Sequence, residues 1–230
     1  MNHLGVIMDG NRRWAKTHKL ELYQGHNMGA ENFGNVCDWC LQSKIKYLTV
    51  YAFSTENWQR SEKEIRHLFT LLEKYFLDEK LSCVEKGVRI KIIGERSRFD
   101  SRTLSIIRDI ETATRHCENL YVQIALSYGG RDEILRATKK IAAEISGGKL
   151  KTEDLTEEIF AAYLDTAGVP DIDLVIRTGG AENRRLSNFL PWQTVYAELF
   201  FSDLLWPEFN REEFDRALQY YQTVKRKLGK

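Results

Sequence analysis

Near its start the chain reads Leu4-Gly5-Val6-Ile7-Met8-Asp9-Gly10-Asn11-Arg12-Arg13-Trp14, and this stretch sets the architecture of the rest. Its first half is an apolar run with the length and composition of a buried strand. The run ends abruptly at a carboxylate, a turn dipeptide and two guanidiniums. In open parallel α/β sheets, ligands bind beyond the carboxyl ends of the strands. Two interpretations of Asp9 follow: an ordinary cap at a strand-to-helix turn, or a metal ligand or acid–base group in a binding site.

Apolar runs of strand length alternate with amphipathic segments along the chain, an order typical of a parallel sheet with crossover helices. No linker rich in Ser, Gly or charged residues divides the sequence. We therefore predict a single α/β domain over residues 1–230, with a central, mostly parallel six-stranded sheet flanked by helices. The predicted strands are 4–8, 47–53, 88–93, 121–127, 174–176 and 195–201, and the predicted helices are 29–42, 61–84, 101–116, 131–146, 156–166 and 211–228.

Composition excludes several classes of function. The net charge is only +1 with 29% charged residues, which argues against nucleic-acid binding and favours basic side chains placed singly against a small anion. No run approaches the roughly 20 apolar residues of a membrane span, and no signal-peptide pattern occurs, so a cytoplasmic location is expected.

Cys37 and Cys40 have CxxC spacing inside a helical pattern; buried structural thiols are the favoured interpretation, with a redox or metal role as the alternative.

Polar, arginine-bearing segments follow four of the predicted strands, and the carboxyl ends of parallel strands share one edge of a sheet. Arginine binds phosphate oxygens in a bidentate manner, and glycine lets backbone amides approach them. A carboxylate among these groups favours Mg²⁺ bridging to a diphosphate. The four segments are Asp9-Gly10-Asn11-Arg12-Arg13, Ser54-Thr55-Glu56-Asn57-Trp58-Gln59-Arg60, Tyr128-Gly129-Gly130-Arg131-Asp132 and Arg177-Thr178-Gly179-Gly180.

The predicted helix 61–84 has a broader apolar face than one core contact requires. It is either a helix buried on two sides or the wall of an apolar tunnel, and a diphosphate site at the mouth of such a tunnel suits an isoprenoid diphosphate. The sequence lacks the P-loop, the GxGxxG fingerprint and the Gly-x-Ser-x-Gly elbow. It also lacks the Asp-Asp-x-x-Asp cluster with which the all-helical prenyl synthases bind magnesium.

Seven short motifs occur in order from Met8 to Glu198. They are Met8-Asp9-Gly10-Asn11 with Arg13-Trp14-Ala15, Gly25-His26, Tyr51-Ala52-Phe53-Ser54-Thr55-Glu56-Asn57-Trp58, Tyr128-Gly129-Gly130-Arg131, Arg177-Thr178-Gly179-Gly180, Leu186-Ser187-Asn188-Phe189 and Tyr196-Ala197-Glu198. With these motifs the chain resembles the cis-prenyltransferases, most closely the bacterial undecaprenyl diphosphate synthases. The resemblance implies the fold of that family, a six-stranded sheet enclosing a hydrophobic tunnel.

The resemblance also implies roles for individual residues. Asp9 would be the catalytic carboxylate that handles Mg²⁺ as the allylic diphosphate leaves. Asn57 would be a candidate proton acceptor, and His26 would be a candidate for assisting proton movement. Glu198 would be a second Mg²⁺ ligand, with packing at a subunit interface as the alternative for this residue. The allylic site would contain Gly10, Asn11, Arg12, Arg13, Trp14 and His26, and the segment closing over the substrates would contribute Ser54, Thr55, Glu56, Trp58 and Arg60. The second diphosphate would be held by Arg177, Arg185 and Ser187, and Leu186 would also belong to the substrate-binding site.

The implied function is Mg²⁺-dependent condensation of isopentenyl diphosphate onto an allylic diphosphate. Farnesyl diphosphate is the expected starter, and a long polyprenyl diphosphate such as undecaprenyl diphosphate, the cell-wall lipid carrier, is the expected product. A homodimer is implied, with the region 195–201 and the C-terminal segment near the interface, as is a peripheral membrane contact for product release.

Four departures from the family pattern bear on substrate binding. Leu22 stands where many members have an arginine, and Ser61 replaces a common proline. The loop 181–185 is about two residues longer than usual, which leaves open whether Arg184 or Arg185 takes the family role. The C-terminal 226–230 has lysine where arginine is expected. Leu120, by contrast, matches the bulky residue at the tunnel floor of long-chain members.

These departures motivate an alternative within the same fold, a synthase of short or irregular prenyl diphosphates. A second alternative is a non-catalytic partner subunit, although such subunits typically lose the aspartate that is present here as Asp9. A phosphatase of the haloacid-dehalogenase type is disfavoured because Asn11 stands where the second aspartate would be needed.

Overall fold

A computed structural model describes residues 1–180 and 183–224 of the chain. Its six strands form one sheet in the order β3-β4-β2-β1-β5-β6. All neighbouring strands in this sheet are parallel, which confirms the predicted α/β class and sheet. The strands are β1 (His3–Ile7), β2 (Tyr47–Ser54), β3 (Val88–Ile93), β4 (Leu120–Tyr128), β5 (Leu174–Arg177) and β6 (Glu198–Phe201).

The helices flank this sheet, and most of them match their predicted positions. They are α1 (Asn11–Thr17), α2 (Leu22–Gln42), α3 (Glu62–Lys86), α4 (Ser101–Ala113), α5 (Gly130–Ser146), α6 (Glu157–Ala161) and α7 (Arg211–Thr223), with a 3₁₀ segment at Thr55–Gln59. Helix α1 was not predicted, α2 begins earlier than residue 29, and α6 ends before residue 166. The last part of the predicted helix 211–228, together with the lysine-bearing 226–230, lies outside the described residues.

Strand β6 is shorter than predicted, because it begins at Glu198 rather than at residue 195. The preceding residues are held in turns: the Ala197 amide donates to the Thr194 carbonyl at 3.1 Å, and the Thr194 amide donates to Leu190 at 3.0 Å. The side chain of Tyr196 is 74% exposed. This part of the Tyr196-Ala197-Glu198 motif therefore lies on the surface of the chain and outside the sheet.

The junction after β1 is a turn in which Gly10, and not Asp9, caps helix α1. Gly10 has a φ of 118°, in the left-handed region that favours glycine. A Cβ atom at this position would also lie 3.0 Å from Leu205. The Asp9 side chain therefore does not cap the helix, and it can face the crevice beyond the strand.

The core lies on both faces of the sheet because side chains alternate along each strand. On one face, Leu4 and Val6 pack with Phe33 of α2 and Phe76 of α3 in the larger cluster. On the other face, Ile7 packs in a smaller cluster. Cys37 and Cys40 are buried free thiols, as the favoured interpretation predicted. Within the described residues, no helix is long and apolar enough to cross a membrane.

Candidate active site

A cleft of about 1190 Å³ opens at the carboxyl edge of the sheet. The structure brings most of the predicted site residues together in it, from β1, α1, α2, the end of β2 and the loop before β6. The predicted residues that line the cleft are Asp9, Gly10, Asn11, Arg12, Arg13, His26, Ser54, Glu56, Asn57, Arg60 and Ser187. Lys16, Leu22 and Arg131 line it as well.

The Asp9 carboxylate is held by three donors. Its Oδ1 accepts a hydrogen bond from Arg13 Nη2 at 3.1 Å. Its Oδ2 accepts from Arg177 Nη2 at 2.9 Å and from Asn183 Nδ2 at 3.2 Å. The side chain remains 29% exposed. Asp9 is thus fixed in orientation by two guanidiniums and still faces the cleft.

Arg177 connects Asp9 to the loop that follows β5. The side chain is only 6% exposed, and its Nη1 donates to Ser187 Oγ at 2.7 Å and to the carbonyl of Arg185. Its Nε has no protein partner. Arg177 does not itself line the cleft, but it orients the Asp9 carboxylate and the Ser187 hydroxyl, which do. Arg177 therefore joins the two predicted diphosphate regions into one network.

The turn after β5 approaches Asp9 closely. Thr178 Oγ1 accepts a hydrogen bond from the Asp9 amide at 3.0 Å and donates to the Asp9 carbonyl at 2.8 Å. Gly179 has a φ of 109°. A Cβ atom on Gly179 would lie 2.7 Å from Arg13 Nη2 and 2.9 Å from Asp9 Cβ. The Arg-Thr-Gly-Gly motif thus supplies a guanidinium, a backbone clamp and the space that Asp9 and Arg13 occupy.

Glu64, on the first turn of α3, was missed by the sequence analysis. Its Oε1 lies 3.1 Å from Arg60 Nη1, 3.7 Å from His26 Nε2 and 3.8 Å from Arg12 Nε. The carboxylate is only 12% exposed. The sequence feature that could have identified Glu64 is its i,i+4 spacing from Arg60. Glu64 holds together Arg12 and His26 of the predicted allylic site and Arg60 of the segment predicted to close over the substrates.

His26 is neutral at physiological pH in this environment. Burial and the nearby Arg60 lower the pKa of His26 to about 4, with Glu64 opposing the shift only in part. The Nε2 atom is buried and has no hydrogen-bond partner. Asn57, the predicted proton acceptor, uses its Oδ1 to accept the Ser54 amide at 3.0 Å. His26 therefore places an uncharged imidazole, whose Nε2 has no hydrogen-bond partner, beside the cleft. The Asn57 oxygen, by contrast, is already engaged by a backbone amide.

The loop 186–190 has unusual backbone geometry at the cleft. Ser187, Asn188 and Leu190 have φ values of 49°, 69° and 48°. Such conformations in non-glycine residues cluster at functional sites, where the surrounding structure holds them. Asn188 donates from Nδ2 to Glu56 at 3.1 Å and accepts the Arg131 amide at 2.9 Å. The loop thereby ties the 3₁₀ segment to the start of α5.

Several predicted site residues do not line the cleft. Trp14 stacks on His18 with 4.4 Å between ring centroids. Trp58 donates from Nε1 to Ser127 Oγ at 2.9 Å and packs in the larger core cluster. The structure thus gives Trp14 and Trp58 packing contacts, where the sequence predicted substrate contacts.

Three further predicted residues lie near the cleft without lining it. Thr55 donates to Glu56 at 3.1 Å, and Leu186 packs against the smaller core cluster. The carbonyl of Arg185 accepts from Arg177, and the side chains of Arg184 and Arg185 are both exposed. The contacts of Arg177 therefore involve the backbone of Arg185, and they assign neither arginine side chain to the family role.

Glu198 lies at the amino ends of the strands, whereas Asp9 lies beyond their carboxyl ends. It begins β6 and pairs with Leu174, whereas Ile7 pairs with Arg177 at the other end of the same strands. Asp9 and Glu198 are therefore separated by five residues of strand, roughly 16 Å along the strand direction. Within one chain these two carboxylates cannot bind the same ion.

An apolar cavity of about 120 Å³ lies between the sheet, α2 and α3. It shares Met8, Asn11 and His26 with the cleft, so it continues inward from the predicted allylic site. Helix α3 contributes Leu68, Phe69, Leu71, Leu72, Tyr75 and Phe76 to its wall. The helix 61–84 is therefore the wall of an apolar cavity, the second of its two interpretations. Leu120 does not line the cavity.

Comparison with known proteins gives full-length matches. A family model described as "Putative undecaprenyl diphosphate synthase" matches residues 7–229. An isoprenyl transferase of Aquifex aeolicus is 42% identical over 228 residues, covering 99% of this chain and 95% of that protein. A tritrans,polycis-undecaprenyl-diphosphate synthase (geranylgeranyl-diphosphate specific) of Picrophilus torridus is 41% identical over 229 residues, covering 99% of this chain and 89% of that protein.

Solved structures match over the whole fold. The lavandulyl diphosphate synthase of Lavandula x intermedia, in complex with dimethylallyl diphosphate, superposes with a TM-score of 0.95 at 32% identity, covering 100% of this chain and 98% of that one. A probable undecaprenyl diphosphate synthase of Campylobacter jejuni gives a TM-score of 0.81 at 38% identity, covering 100% of this chain and 99% of that one. With its strands, its cleft and these matches taken together, the chain belongs to the undecaprenyl diphosphate synthase family of prenyltransferases.

Proposed function

We propose that this prenyltransferase condenses isopentenyl diphosphate with an allylic diphosphate in a Mg²⁺-dependent reaction. The observation that carries the proposal is the Asp9 carboxylate, which is held by the buried Arg177 and lines a polar cleft continuous with an apolar cavity. A diphosphate requires cationic and hydrogen-bonding groups, whereas a prenyl chain requires an apolar wall. Few other substrate classes need both features side by side.

The reaction breaks the allylic C–O bond, and the bonding electron pair leaves with the diphosphate. The electrons of the isopentenyl double bond form the new C–C bond, and loss of a proton from the neighbouring carbon forms the new double bond. Negative charge develops on the departing diphosphate, so guanidiniums already in place stabilise the transition state. We assign Arg12, Arg13 and Arg60 to the allylic diphosphate, and Arg177 and Ser187 to the isopentenyl diphosphate.

Asp9 is the proposed protein ligand for Mg²⁺. In the part of the chain that the structure describes, no three His, Cys, Asp or Glu side chains converge to hold a metal. Mg²⁺ commonly binds through one or two carboxylates together with substrate phosphates, and a single partly exposed carboxylate beside a diphosphate site fits that pattern. When bound, Mg²⁺ would neutralise charge on the leaving diphosphate.

His26 is our proposed proton acceptor, ahead of Asn57. The Nε2 atom of His26 makes no hydrogen bond within the chain, and we assign it as the nitrogen that accepts the proton. The Asn57 oxygen is engaged by the Ser54 amide, so its part would be to hold the 3₁₀ segment that closes the cleft. His26 also lines both the cleft and the apolar cavity, where the reacting carbons would meet.

We also propose a homodimer, with the exposed Val195 and Tyr196 in the interface. Glu198 follows these residues and is far from Asp9 of its own chain, so any contribution of Glu198 to the metal site would come from a second copy. A cytoplasmic location and a peripheral membrane contact during product release remain expectations from the sequence.

The long-chain product expected from the resemblance has a competitor, a synthase of short or irregular prenyl diphosphates. The observations that favour this second candidate are the lavandulyl diphosphate synthase superposition, at a TM-score of 0.95, and the apolar Leu22 at the cleft. A non-catalytic partner subunit is the remaining alternative, although Asp9, Asn57, Arg177 and Glu198 are all retained.

The test is incubation of the purified protein with radiolabelled isopentenyl diphosphate, Mg²⁺ and each of four starters: dimethylallyl, geranyl, farnesyl and geranylgeranyl diphosphate. We expect a labelled prenyl diphosphate with at least one starter and its loss when EDTA is added. Retention of product in EDTA would overturn the metal assignment. Absence of product with every starter would contradict the proposed function and favour the partner-subunit alternative.

A further inference from the structure

We propose that Phe33 and Tyr75 form the floor of the apolar cavity and restrict this chain to short prenyl products. The inference rests on the proposed function, because it concerns the chain that the allylic diphosphate carries into the cavity. It names a floor different from Leu120, and it selects the short-chain candidate over the long-chain one.

The cavity ends at a layer of aromatic rings between α2 and α3. Its last lining residue on α2 is Phe33, and its last on α3 are Tyr75 and Phe76. The rings of Phe33 and Tyr75 are 5.5 Å apart at an interplanar angle of 49°, a tilted contact that leaves little space between the helices. Phe33 and Phe76 are 7% and 3% exposed, so both are packed from behind.

The strands show the same boundary. Val50 and Ile124 are the deepest lining residues of β2 and β4, and they are register partners. Beyond this level the core is closed: Leu48 and Val122 are both 0% exposed and do not line the cavity. Leu120 lies four residues before Ile124 on β4, roughly 13 Å further along the strand. A chain in the cavity would therefore meet Phe33 and Tyr75 well before it could reach Leu120.

The size of the cavity agrees with a short chain. Its volume of about 120 Å³ lies below the ~300–1,000 Å³ typical of sites for drug-sized ligands. Between Val50 and Phe53, its limits on β2, the strand rises only about 10 Å. A long polyprenyl chain does not fit without displacement of the aromatic floor. The superposition at a TM-score of 0.95 is with a structure that holds dimethylallyl diphosphate, which carries a single isoprene unit.

The experiment compares the product lengths of the wild type, Phe33→Ala and Tyr75→Ala, with labelled isopentenyl diphosphate in excess. We expect the wild type to stop after one or two condensations and each variant to add at least one further isoprene unit. Two variants serve as controls. Phe214→Ala removes a fully buried aromatic ring of the same core that does not line the cavity, and Leu120→Ala removes the alternative floor. Both should leave product length unchanged.

Phe33→Leu serves as a milder variant if Phe33→Ala fails to fold, and we expect a smaller shift of product length in the same direction. A long polyprenyl ladder from the wild type would overturn the proposal. Lengthening in Leu120→Ala but not in the floor variants would overturn it as well.

If the wild type shows no turnover at all, the proposed function is contradicted, but the floor can still be tested by binding. Thiolodiphosphate analogues of dimethylallyl and farnesyl diphosphate would be titrated into the wild type and Phe33→Ala. We expect Phe33→Ala to bind the farnesyl analogue about tenfold more tightly than the wild type does, with the dimethylallyl analogue unchanged. Equal farnesyl affinity in the two proteins would overturn the floor assignment.

Discussion

Arg177 donates a hydrogen bond of 2.9 Å from Nη2 to Oδ2 of Asp9, across 168 positions of sequence. The contact exists because β1 and β5 are neighbours, with Ile7 opposite Arg177 in the register. The guanidinium is buried and the carboxylate is partly exposed. A buried charge that loses its partner is strongly destabilised, so each residue fixes the position of the other. The pair links the turn after β1 with the turn after β5, the two halves of the proposed diphosphate site.

Asp9→Ala should lower kcat about 1,000-fold or more, because it removes the proposed metal ligand and the acceptor that aligns Arg13 and Arg177. The variant should also be less stable, because it leaves the buried Arg177 without its partner, so turnover is compared at a temperature at which the variant is still folded. The measurement is steady-state turnover alongside circular dichroism. Asp38→Ala is a matched control: it also breaks an ion pair, with Lys86 at 2.7 Å, but lies outside the cleft. Turnover near that of the wild type in Asp9→Ala would refute the assignment.

Glu64→Ala separates two opposing effects on the proposed allylic site. Loss of the carboxylate frees Arg12 and Arg60 from their shared anchor, which should weaken substrate binding. It also makes the cleft more positive, which should strengthen the attraction of a diphosphate. We expect the loss of orientation to dominate, because Arg60 contacts Glu64 directly at 3.1 Å and Glu64 is little exposed.

The KM for the allylic diphosphate should therefore rise about tenfold, with kcat changed less. Glu64→Gln keeps an acceptor for Arg60 and should show a smaller rise. Glu62→Ala, at a position 95% exposed on the same helix turn, should have no effect. A fall in KM for Glu64→Ala would mean that charge, not orientation, is the larger effect.

Much of the fold and most of the cleft were predictable from the sequence because their signals are local. The apolar run before Asp9 and the arginine-bearing end of β5 lie at the same edge of any parallel sheet, so their proximity follows from strand direction alone. The strand-length apolar runs give all six strands, with errors only at their ends. The β6 boundary was missed because apolar residues in a turn look like strand residues in the sequence.

The remaining features depend on packing between elements, which periodicity does not reveal. Glu64 belongs to no motif, and its role appears only when α3 packs beside α1 and α2. Leu120 matched a family position, but the depth of the cavity depends on how the rings of Phe33 and Tyr75 meet across two helices. The distance of Glu198 from Asp9 follows from strand register, which fixes where each motif lies along the sheet.

Gly179→Ala should disable the site through steric contact. The new Cβ would lie 2.7 Å from Arg13 Nη2 and 2.9 Å from Asp9 Cβ, so both side chains must move. A displacement of this order should lower turnover about 100-fold. Gly148→Ala is the matched control, because it also has a positive φ but its Cβ would meet nothing within 4 Å.

Backbone strain alone should lower the unfolding free energy of Gly148→Ala by roughly 1–2 kcal/mol and leave turnover unchanged. Urea denaturation and steady-state kinetics on both variants separate the two effects. Equal turnover in Gly179→Ala and Gly148→Ala would mean that the close approach of Gly179 to Asp9 is not needed for activity.

Stability should fall as the pH drops below about 6.5, because the pKa values of His3 and His26 in the folded chain are both lowered to about 4. Burial is the main cause in each case. Between these pKa values and the ordinary value of 6.5, the unfolded chain binds protons that the folded chain does not. Each histidine then contributes up to about 1.4 kcal/mol of destabilisation per pH unit. Above pH ~6.5 the contribution should vanish.

Urea unfolding at several pH values would measure this dependence. His3→Gln removes one of the two buried imidazoles while keeping a polar side chain near Thr49 and Pro170, the present partners of His3. The loss of stability between pH ~6.5 and ~5 should be about half as steep in this variant. An unchanged slope would show that His3 is not one of the groups responsible.

Glu198 provides the sharpest test of the proposed dimer, because it cannot reach Asp9 of its own chain. If Glu198 serves the metal site of a second copy, Asp9→Ala and Glu198→Ala should each be inactive as homodimers. A mixed dimer of the two variants should recover activity, because one of its two sites combines an intact Asp9 from one copy with an intact Glu198 from the other. Differently tagged chains, co-expressed and purified through both tags, would provide this species. Full activity of the Glu198→Ala homodimer would instead assign Glu198 to interface packing, and an inactive mixed dimer would exclude the shared site.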